Sequence, residues 1–368
     1  MAKRVFFHIG GAKTGTTYLQ SLMWENRGRL RAHGVLIPGE KHGDRVKATM
    51  VIRGVPPQFP GEEKAWDQIV SQVRVFPGDA VISHEFFGTA DPDQADRALA
   101  DVQAEAHLVY TARDLTRVLP ALWQERVKFV HAGSLDDYDP APVTASARDN
   151  WSWRVIDASD ALGRWGRNVP PERVHVVTVP KQPADRRELW RRFAAACGID
   201  PDLALAEPAT AYESVGLVEA ELLRRLSGRL GPEFRKPRVA PRWVRSYLAH
   251  GVLSARKGER IGLDAQRYAE VRARGLAIVA DLRARGYDVV GDLNDLVPDP
   301  TPPTVRGPSD VTAEELLDVS LDVIATMLGD MYRDEVAADG RSRADLEPGP
   351  ESARPGRLRA RIRRIVRA

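Results

Sequence analysis

Cysteine is scarce in this sequence, and histidine is not clustered. The 368 residues include one cysteine, Cys197, so an internal disulfide framework is excluded. Cys197 lies on the apolar side of a predicted helix, which favours a buried structural thiol over a reactive one. No two histidines have metal-ligand spacing, and "HEFFG" at 84–88 has Gly88 where a zinc-protease helix needs a second histidine. We therefore predict no metal site.

Long hydrophobic runs are also missing. No apolar stretch approaches the roughly 20 residues that a helix needs to span a bilayer. The first residues, "MAKRVFFHIGG", contain an apolar run that is too short for a signal peptide. With 43% hydrophobic and 29% charged residues, the composition is that of a soluble globular protein. We therefore expect a cytoplasmic protein.

Acidic residues are absent from the last fifteen positions, "RPGRLRARIRRIVRA", which hold seven arginines. Without those arginines the formal net charge of +3 becomes −4, so the basic pI does not argue for nucleic-acid binding by the main body. Leu358, Ile362 and Ile365 share one helical face of this tail. Such a segment can lie on the inner face of an anionic membrane, bind an acidic partner, or act as a solubilising end. We predict no nucleic-acid partner and keep peripheral membrane contact as a hypothesis.

Short apolar runs alternate with helical patterns in the first half of the chain. The predicted strands are 5–9, 80–83, 107–111 and 174–179. The predicted helices are 16–32, 93–104, 115–131 and 185–197, followed by 217–227, 265–285 and 313–332. This alternation indicates a three-layer P-loop-type α/β fold, with a parallel sheet flanked by helices and a helical C-terminal part. Ligands of such sheets bind at the carboxyl ends of the strands.

The composition divides the chain into three predicted parts. Residues 1–300 form the α/β domain, 301–335 form a C-terminal helical extension, and 336–368 form a flexible linker with the basic tail. Within the domain, residues 132–150 are rich in glycine, proline, serine and aspartate, which predicts a lid or a binding loop. That loop is our candidate for the lining of an acceptor pocket.

The stretch "HIGGAKTGTTYLQ", residues 8–20, joins the first predicted strand to the first predicted helix. Gly10 and Gly15 have the separation found in a phosphate-binding loop, but Thr16 occupies the position of the usual lysine. The lysine is Lys13, which precedes the last glycine. Free amides at the helix start would bind an anion, and Lys13 would flank a group joined to that anion. A glycine-rich turn with a solvent-facing lysine is the alternative.

This motif resembles the 5′-phosphosulfate loop of sulfotransferases, which use 3′-phosphoadenosine 5′-phosphosulfate (PAPS) as the sulfuryl donor. The matching residues are Ala12, Lys13, Thr14, Gly15, Thr16, Thr17 and Tyr18. The resemblance to actinobacterial sulfotransferase-type proteins covers roughly residues 5–297. It implies that residues 12–17 bind the donor without a metal, and that Lys13 neutralises charge on the bridging oxygen. Ala12 stands where the family more usually has proline.

The resemblance also implies a site for the 3′-phosphate of the donor. Sulfotransferases use an arginine just after a later strand and a serine eight residues further on. Arg113 matches that arginine, whereas Ala121 stands at the serine position. A helix-start ion pair between Arg113 and Asp114 is the alternative. The Arg-Lys-Gly turn at 256–258 is similar to a 3′-phosphate contact of the cytosolic branch, and a solvated basic loop is its alternative.

The acceptor hydroxyl needs a general base that reaches it from a strand end. His84 and Glu85 follow directly on the predicted strand 80–83, and sulfotransferases use either a histidine or a glutamate in this role. The sequence is similar to the bacterial branch, which has a glutamate after a Ser-x dipeptide. That similarity favours Glu85 as the base, with His84 second. A surface glutamate beside a core histidine is the alternative.

The sequence therefore predicts a PAPS-dependent sulfotransferase that acts on a hydroxyl or amine of a carbohydrate, a glycolipid or a small metabolite. A non-catalytic nucleotide-binding protein of the same fold stays open, because Ala121 replaces the expected serine. A P-loop kinase is the third hypothesis. It would need a lysine at position 16 and an acidic strand end for magnesium.

Overall fold

The computed structural model of the chain describes residues 2–140, 152–207, 214–236, 238–256 and 258–338. Part of the predicted loop (141–150), Lys257 and most of the predicted tail (339–368) lie outside these ranges. The strands are β1 (Arg4–His8), β2 (Val35–Leu36), β3 (Asp79–Ser83), β4 (Glu105–Ala112), β5 (Val174–Thr178) and β6 (Asp288–Val290). They pair in the order β2-β3-β1-β4-β5-β6, and every pair is parallel.

Helices connect the strands and supply both outer layers. They are α1 (Thr16–Glu25), α2 (Arg27–Ala32), α3 (Asp44–Ile52), α4 (Ala65–Val75), α5 (Pro92–Asp101), α6 (Leu115–Val127), α7 (Trp153–Ile156), α8 (Ala158–Trp165), α9 (Glu188–Ala196), α10 (Leu217–Ser227), α11 (Ala265–Ala284) and α12 (Ala313–Ala338). A 3₁₀-helix spans Glu85–Thr89, and a π-helix spans Ala240–Val252.

Alternating residues of β1 belong to two separate cores. Val5 and Phe7 pack with residues of α4, α5, α8 and α11, whereas Phe6 packs with residues of α1 and α9. Side chains of a strand point to opposite faces in turn, so this division means that helices cover both faces of the sheet. The predicted three-layer fold class is therefore confirmed. Cys197 is buried in the second core, and burial raises the pKa of its thiol, as expected for a structural cysteine.

The structure differs from the sequence prediction in several elements. Strands β2 and β6 are absent from the prediction, as are helices α3, α4, α7 and α8. The predicted helix 16–32 is divided into α1 and α2 at Asn26. The Asn26 side chain donates to the carbonyl of Leu22 at 2.8 Å and exchanges hydrogen bonds with the backbone of Ala206. Asn26 thus ends α1 through a partner that is distant in sequence.

The chain separates into two compact units, Met1–Val319 and Ser320–Ala368. The first unit holds the sheet and all of the predicted site residues that the structure describes. In the second unit, residues 320–338 form the C-terminal part of α12. None of the helices within the described ranges is long and apolar enough to cross a membrane.

Candidate active site

The loop between β1 and α1 lies at the carboxyl edge of the sheet, between neighbours β3 and β4. Three of its residues have positive φ: Gly10 at 124°, Lys13 at 62° and Gly15 at 89°. A Cβ atom on Gly15 would lie 2.5 Å from the end of the Leu189 side chain, so a larger residue would have to displace Leu189 in addition to adopting a backbone conformation that favours glycine. Lys13 pays a conformational cost of about 1 kcal/mol or more in this region.

Hydrogen bonds hold the loop against β4. Gly11 donates its amide to the carbonyl of Thr111 at 2.7 Å, and the Thr111 hydroxyl donates to the carbonyl of Gly10 at 3.0 Å. The Thr14 hydroxyl donates to the carbonyl of Gly11 at 2.6 Å and lies 2.6 Å from the Thr111 hydroxyl. Thr14 and Ala12 are buried. These two predicted donor-binding residues therefore support the loop with their side chains.

The start of α1 presents backbone amides that no side chain caps. Gly15 occupies the N-cap position without a side-chain hydrogen bond, and the first helical bond runs from Leu19 to the Gly15 carbonyl at 3.1 Å. The amides of Thr16 and Thr17 come before that bond. Thr16 is buried, and Thr17 is exposed. Amides of this kind, at the positive end of the helix dipole, are a suitable site for an anion.

Lys13 is bonded to a buried carboxylate of α6. Its Nζ donates to Oε2 of Glu125 at 3.2 Å. The same carboxylate accepts from Lys128 Nζ at 3.3 Å and from Arg245 Nε at 3.0 Å, the latter supplied by the π-helix. Burial acts to raise the pKa of Glu125, but the charges of Lys13, Lys128 and Arg245 outweigh it and hold that pKa well below its usual range. Glu125 is therefore an internal counter-ion for three cations.

Arg113 lies where β4 ends and contacts the same loop. Its Nη1 donates to the carbonyl of Lys13 at 3.2 Å. Burial and the like charges of Arg117 and Arg260 lower the pKa of Arg113. Sequence reasoning missed Arg117 and Arg260, although Arg117 follows Arg113 by about one helical turn. Arg117 and Arg260 thus add positive charge to the surroundings of Arg113, and Ala121 lies two turns further along α6.

Glu85 begins the 3₁₀-helix after β3 and lies against the loop from the other side. A Cβ atom on Gly10 would lie 3.4–3.5 Å from Glu85 atoms. Gln20 of α1 donates to Oε2 of Glu85 at 2.9 Å. Burial raises the pKa of Glu85, but His84, the Glu85 amide and Gln20 outweigh it and lower that pKa. Glu85 is therefore ionised at neutral pH. Sequence reasoning missed Gln20, although its place one turn after Thr16 could have indicated it.

His84 and His8 have ring nitrogens committed to the fold. Nδ1 of His84 accepts from the amide of Phe86 at 3.2 Å, so the neutral ring carries its proton on Nε2. Burial lowers the pKa of His84, which keeps the ring neutral. His8 contacts the hydroxyls of Ser83 and Thr111 at 2.8 and 3.2 Å, and burial lowers its pKa to about 4. Of the two predicted bases, Glu85 has the available lone pairs.

The Arg-Lys-Gly turn is only partly described. Arg256 pairs with Glu219 at 3.2 Å and with Asp318 at 3.3 Å, so its guanidinium is held by this chain's own carboxylates. Lys257 lies outside the described residues. Within the described part of the chain, no group of three or more His, Cys, Asp or Glu side chains is arranged to hold a metal ion.

A cavity of about 770 Å³ opens next to the end of α6. Its walls include Met50, Val51, Val55, Phe129, Phe234 and Ala240. Phe129 follows Glu125 by one helical turn, and Arg245 lies over its ring at 5.7 Å. Arg245 therefore contacts both a wall residue of the cavity and Glu125, and the cavity has the volume of a small-molecule pocket.

Comparisons with known proteins give two solved structures. One is the crystal structure of a sulfotransferase from Alicyclobacillus acidocaldarius, with 18% identity, a TM-score of 0.37, and coverage of 64% of this chain and 100% of that chain. The other is the sulfotransferase domain of the Synechococcus PCC 7002 olefin synthase, with 13% identity, a TM-score of 0.31, and coverage of 66% of this chain and 87% of that chain. No protein-family model and no curated protein matches the chain.

Proposed function

We propose that this protein is a sulfotransferase that transfers a sulfuryl group from PAPS to a hydroxyl or amine acceptor. One observation carries the proposal: Lys13 and Arg113 meet at the loop that leads into the uncapped start of α1. A ligand with two separate anionic groups, one next to the helix amides and one next to an arginine cluster, suits this arrangement. PAPS carries such groups at its 5′ and 3′ positions.

Each donor group has residues that would hold it. The amides of Gly15, Thr16 and Thr17 would bind the 5′-phosphosulfate, and Lys13 would neutralise the bridging oxygen that leaves with the nucleotide. Arg113 would bind the 3′-phosphate together with Arg117 and Arg260, which lie near it. These two additional arginines would offset the loss of the hydroxyl at Ala121.

Glu85 is our proposed general base for the acceptor. Its ionised carboxylate, held by Gln20, would take the proton of the acceptor hydroxyl as the oxygen bonds to sulfur. The bond between sulfur and the bridging oxygen breaks in the same transfer, and the negative charge on that oxygen passes next to Lys13. His84 is less suited to this role, because Nδ1 already accepts a hydrogen bond and Nε2 carries a proton.

A kinase of P-loop type is the competing function. Its lysine would follow the second glycine, where this chain has Thr16, a buried residue. The lysine of this loop instead occupies the left-handed turn two residues before Gly15. This position favours a 5′-phosphosulfate over the terminal phosphates of ATP.

Thermal shifts with 3′,5′-ADP and with ATP–magnesium test the proposal, measured on the wild type and on Lys13→Ala. A matched control is Lys47→Ala, because Lys47 also pairs with a carboxylate, Asp44 at 3.8 Å, but lies on α3. We expect stabilisation of the wild type and the control by 3′,5′-ADP, and a smaller shift for Lys13→Ala. Stabilisation by ATP–magnesium alone would favour the kinase. Binding of 3′,5′-ADP without transfer of labelled sulfate to any acceptor would favour a non-catalytic binding protein.

A further inference from the structure

Arg45, in the first turn of α3, has a buried guanidinium without a hydrogen-bond partner. The residue is 0% exposed, and neither Nε, Nη1 nor Nη2 has a partner among the described residues. Burial lowers the pKa of Arg45 to about 10, so the side chain stays charged at neutral pH. Buried charges are normally paired, and an unpaired one destabilises the folded state. The charge of Arg45 is therefore buried without a hydrogen bond from the described part of the chain.

The carboxylates of Asp44 and Glu85 act on the charge of Arg45, but neither accepts a hydrogen bond from its guanidinium. Its guanidinium lies 4.9 Å from the ring of Trp24, and that ring also contacts Arg27 at 4.3 Å. Asp44, the adjacent carboxylate, accepts from the amides of Glu40 and Lys41 at 3.1 and 2.8 Å. Contact with an aromatic ring explains how the side chain packs, but it does not supply the oxyanion that a guanidinium binds best.

Arg45 lies on the acceptor side of the loop. Helix α3 packs against the 3₁₀-helix that begins with Glu85, and the charges of Arg45 and Glu85 act on each other. Helix α3 follows β2, and the sheet order places β2 and β3 on one side of β1 and β4 on the other. The cations proposed for the donor, Lys13 and Arg113, lie at the loop and at the end of β4. A ligand group at Arg45 would therefore belong to the acceptor rather than to the donor.

We propose that Arg45 binds an oxyanion of the acceptor, so that the substrate of this enzyme is an alcohol that also carries a carboxylate or a phosphate ester. The proposal rests on the function proposed above. Arg45 would bind the anion while Glu85 takes the proton of the hydroxyl on the same molecule. Selectivity for charged acceptors follows, because a neutral alcohol would leave the guanidinium buried and unpaired.

Binding of three matched sugars tests this assignment: glucose, glucuronate and glucose 6-phosphate. Calorimetry would be done on protein saturated with 3′,5′-ADP, for the wild type, Arg45→Met, Arg45→Lys and Arg27→Met. Arg27→Met is the control because Arg27 contacts the same Trp24 ring from an exposed position. The two anionic sugars distinguish a carboxylate from a phosphate ester. A 3′,5′-ADP titration on every variant reports separately on the donor site.

We expect the wild type and Arg27→Met to bind at least one anionic sugar about tenfold or more tightly than glucose. Arg45→Met should lose that preference, Arg45→Lys should keep part of it, and both should bind 3′,5′-ADP normally. Arg45→Met should also melt no lower than the wild type, since it removes an unpaired buried charge. The proposal is overturned if no sugar binds, if all three bind equally, or if Arg45→Met keeps the preference. Failure of the wild type to bind 3′,5′-ADP would instead reject the proposed function.

Discussion

Replacement of Glu125 by glutamine should lower the stability of the folded chain and raise its affinity for 3′,5′-ADP. Glu125 is the shared counter-ion of Lys13, Lys128 and Arg245. The side chain of Lys128 is 3% exposed, so it would stay buried without a neutralising charge. Removing one partner of a buried ion pair costs about 3–5 kcal/mol. Glutamine keeps the shape and some hydrogen bonding, so we expect a loss of about 2–4 kcal/mol in the free energy of unfolding.

The affinity should change in the opposite direction. The Glu125 carboxylate lies 3.2 Å from Nζ of Lys13. An anion bound on the far side of Lys13 would then be about 6 Å from the carboxylate, and two unit charges at that distance repel by roughly 3 kcal/mol at an effective dielectric constant of about 20. Lys13 screens part of this repulsion. We therefore expect Glu125→Gln to bind 3′,5′-ADP about tenfold more tightly, or about 1.4 kcal/mol.

Urea denaturation and calorimetric titration measure the two effects on the same preparation. Glu221→Gln is the matched control, because Glu221 is also buried and pairs with Arg224 and Arg225 at 2.7 Å, but lies on α10. The control should lose stability and keep its affinity for 3′,5′-ADP. If Glu125→Gln lost affinity together with stability, Glu125 would position Lys13 for the donor rather than compete with it. The predicted competition between Glu125 and the donor anion for Lys13 would then be wrong.

The pH dependence of stability gives a second check on Glu125. Its pKa in the folded chain lies below the value of about 4.3 for an unfolded glutamate. The contribution of Glu125 is therefore fully present above about pH 4.3 and is lost as the pH falls through the pKa of the folded state. The stability difference between the wild type and Glu125→Gln should be constant near neutral pH and shrink in acid. A difference that grew in acid would contradict this assignment.

Four further substitutions test individual site residues. Arg113→Met should weaken 3′,5′-ADP binding about 10- to 100-fold and 5′-AMP binding far less in calorimetry, because the proposed 3′-phosphate contact is charged whereas the hydrogen bond to the Lys13 carbonyl is to a neutral group. Glu85→Gln should lower kcat about 100-fold or more without loss of 3′,5′-ADP affinity. Gln20→Leu should move the acidic limb of the pH–rate profile to higher pH, since Gln20 helps to lower the pKa of Glu85. Gly15→Ala should lose about 1–3 kcal/mol of stability in urea denaturation, because φ is 89° and Leu189 is in the way.

Local patterns of the sequence predicted the central elements of the fold. Strands β1, β3, β4 and β5 each have five residues or more, which is enough for a visible apolar run. Strands β2 and β6 have two and three residues, so their position depends on the neighbouring strands rather than on their own pattern. The division of the first helix at Asn26 could not be predicted either. It depends on the backbone of Ala206, 180 residues away.

The candidate site shows the same limit of local information. Glycine and lysine spacing indicated the loop, and a strand end indicated Arg113, because both features are contiguous in sequence. The partner of Lys13 is Glu125, 112 positions away, and no local pattern connects them. Arg260 comes close to Arg113 only through the fold. Pairs of charged residues that are distant in sequence could therefore be identified only from the structure.

The cations on the donor side and on the acceptor side of the loop have different partners. This difference would affect how tightly each ligand binds. On one side Lys13 is paired with Glu125, a carboxylate that it shares with Lys128 and Arg245, so a donor anion has to compete with an internal ion pair. On the other side the guanidinium of Arg45 has no hydrogen-bonded counter-ion, so an acceptor anion would displace no ion pair. A site arranged like this selects its acceptor by charge more strongly than it retains its donor. It would also release 3′,5′-ADP readily, because Glu125 can take Lys13 back as the product leaves.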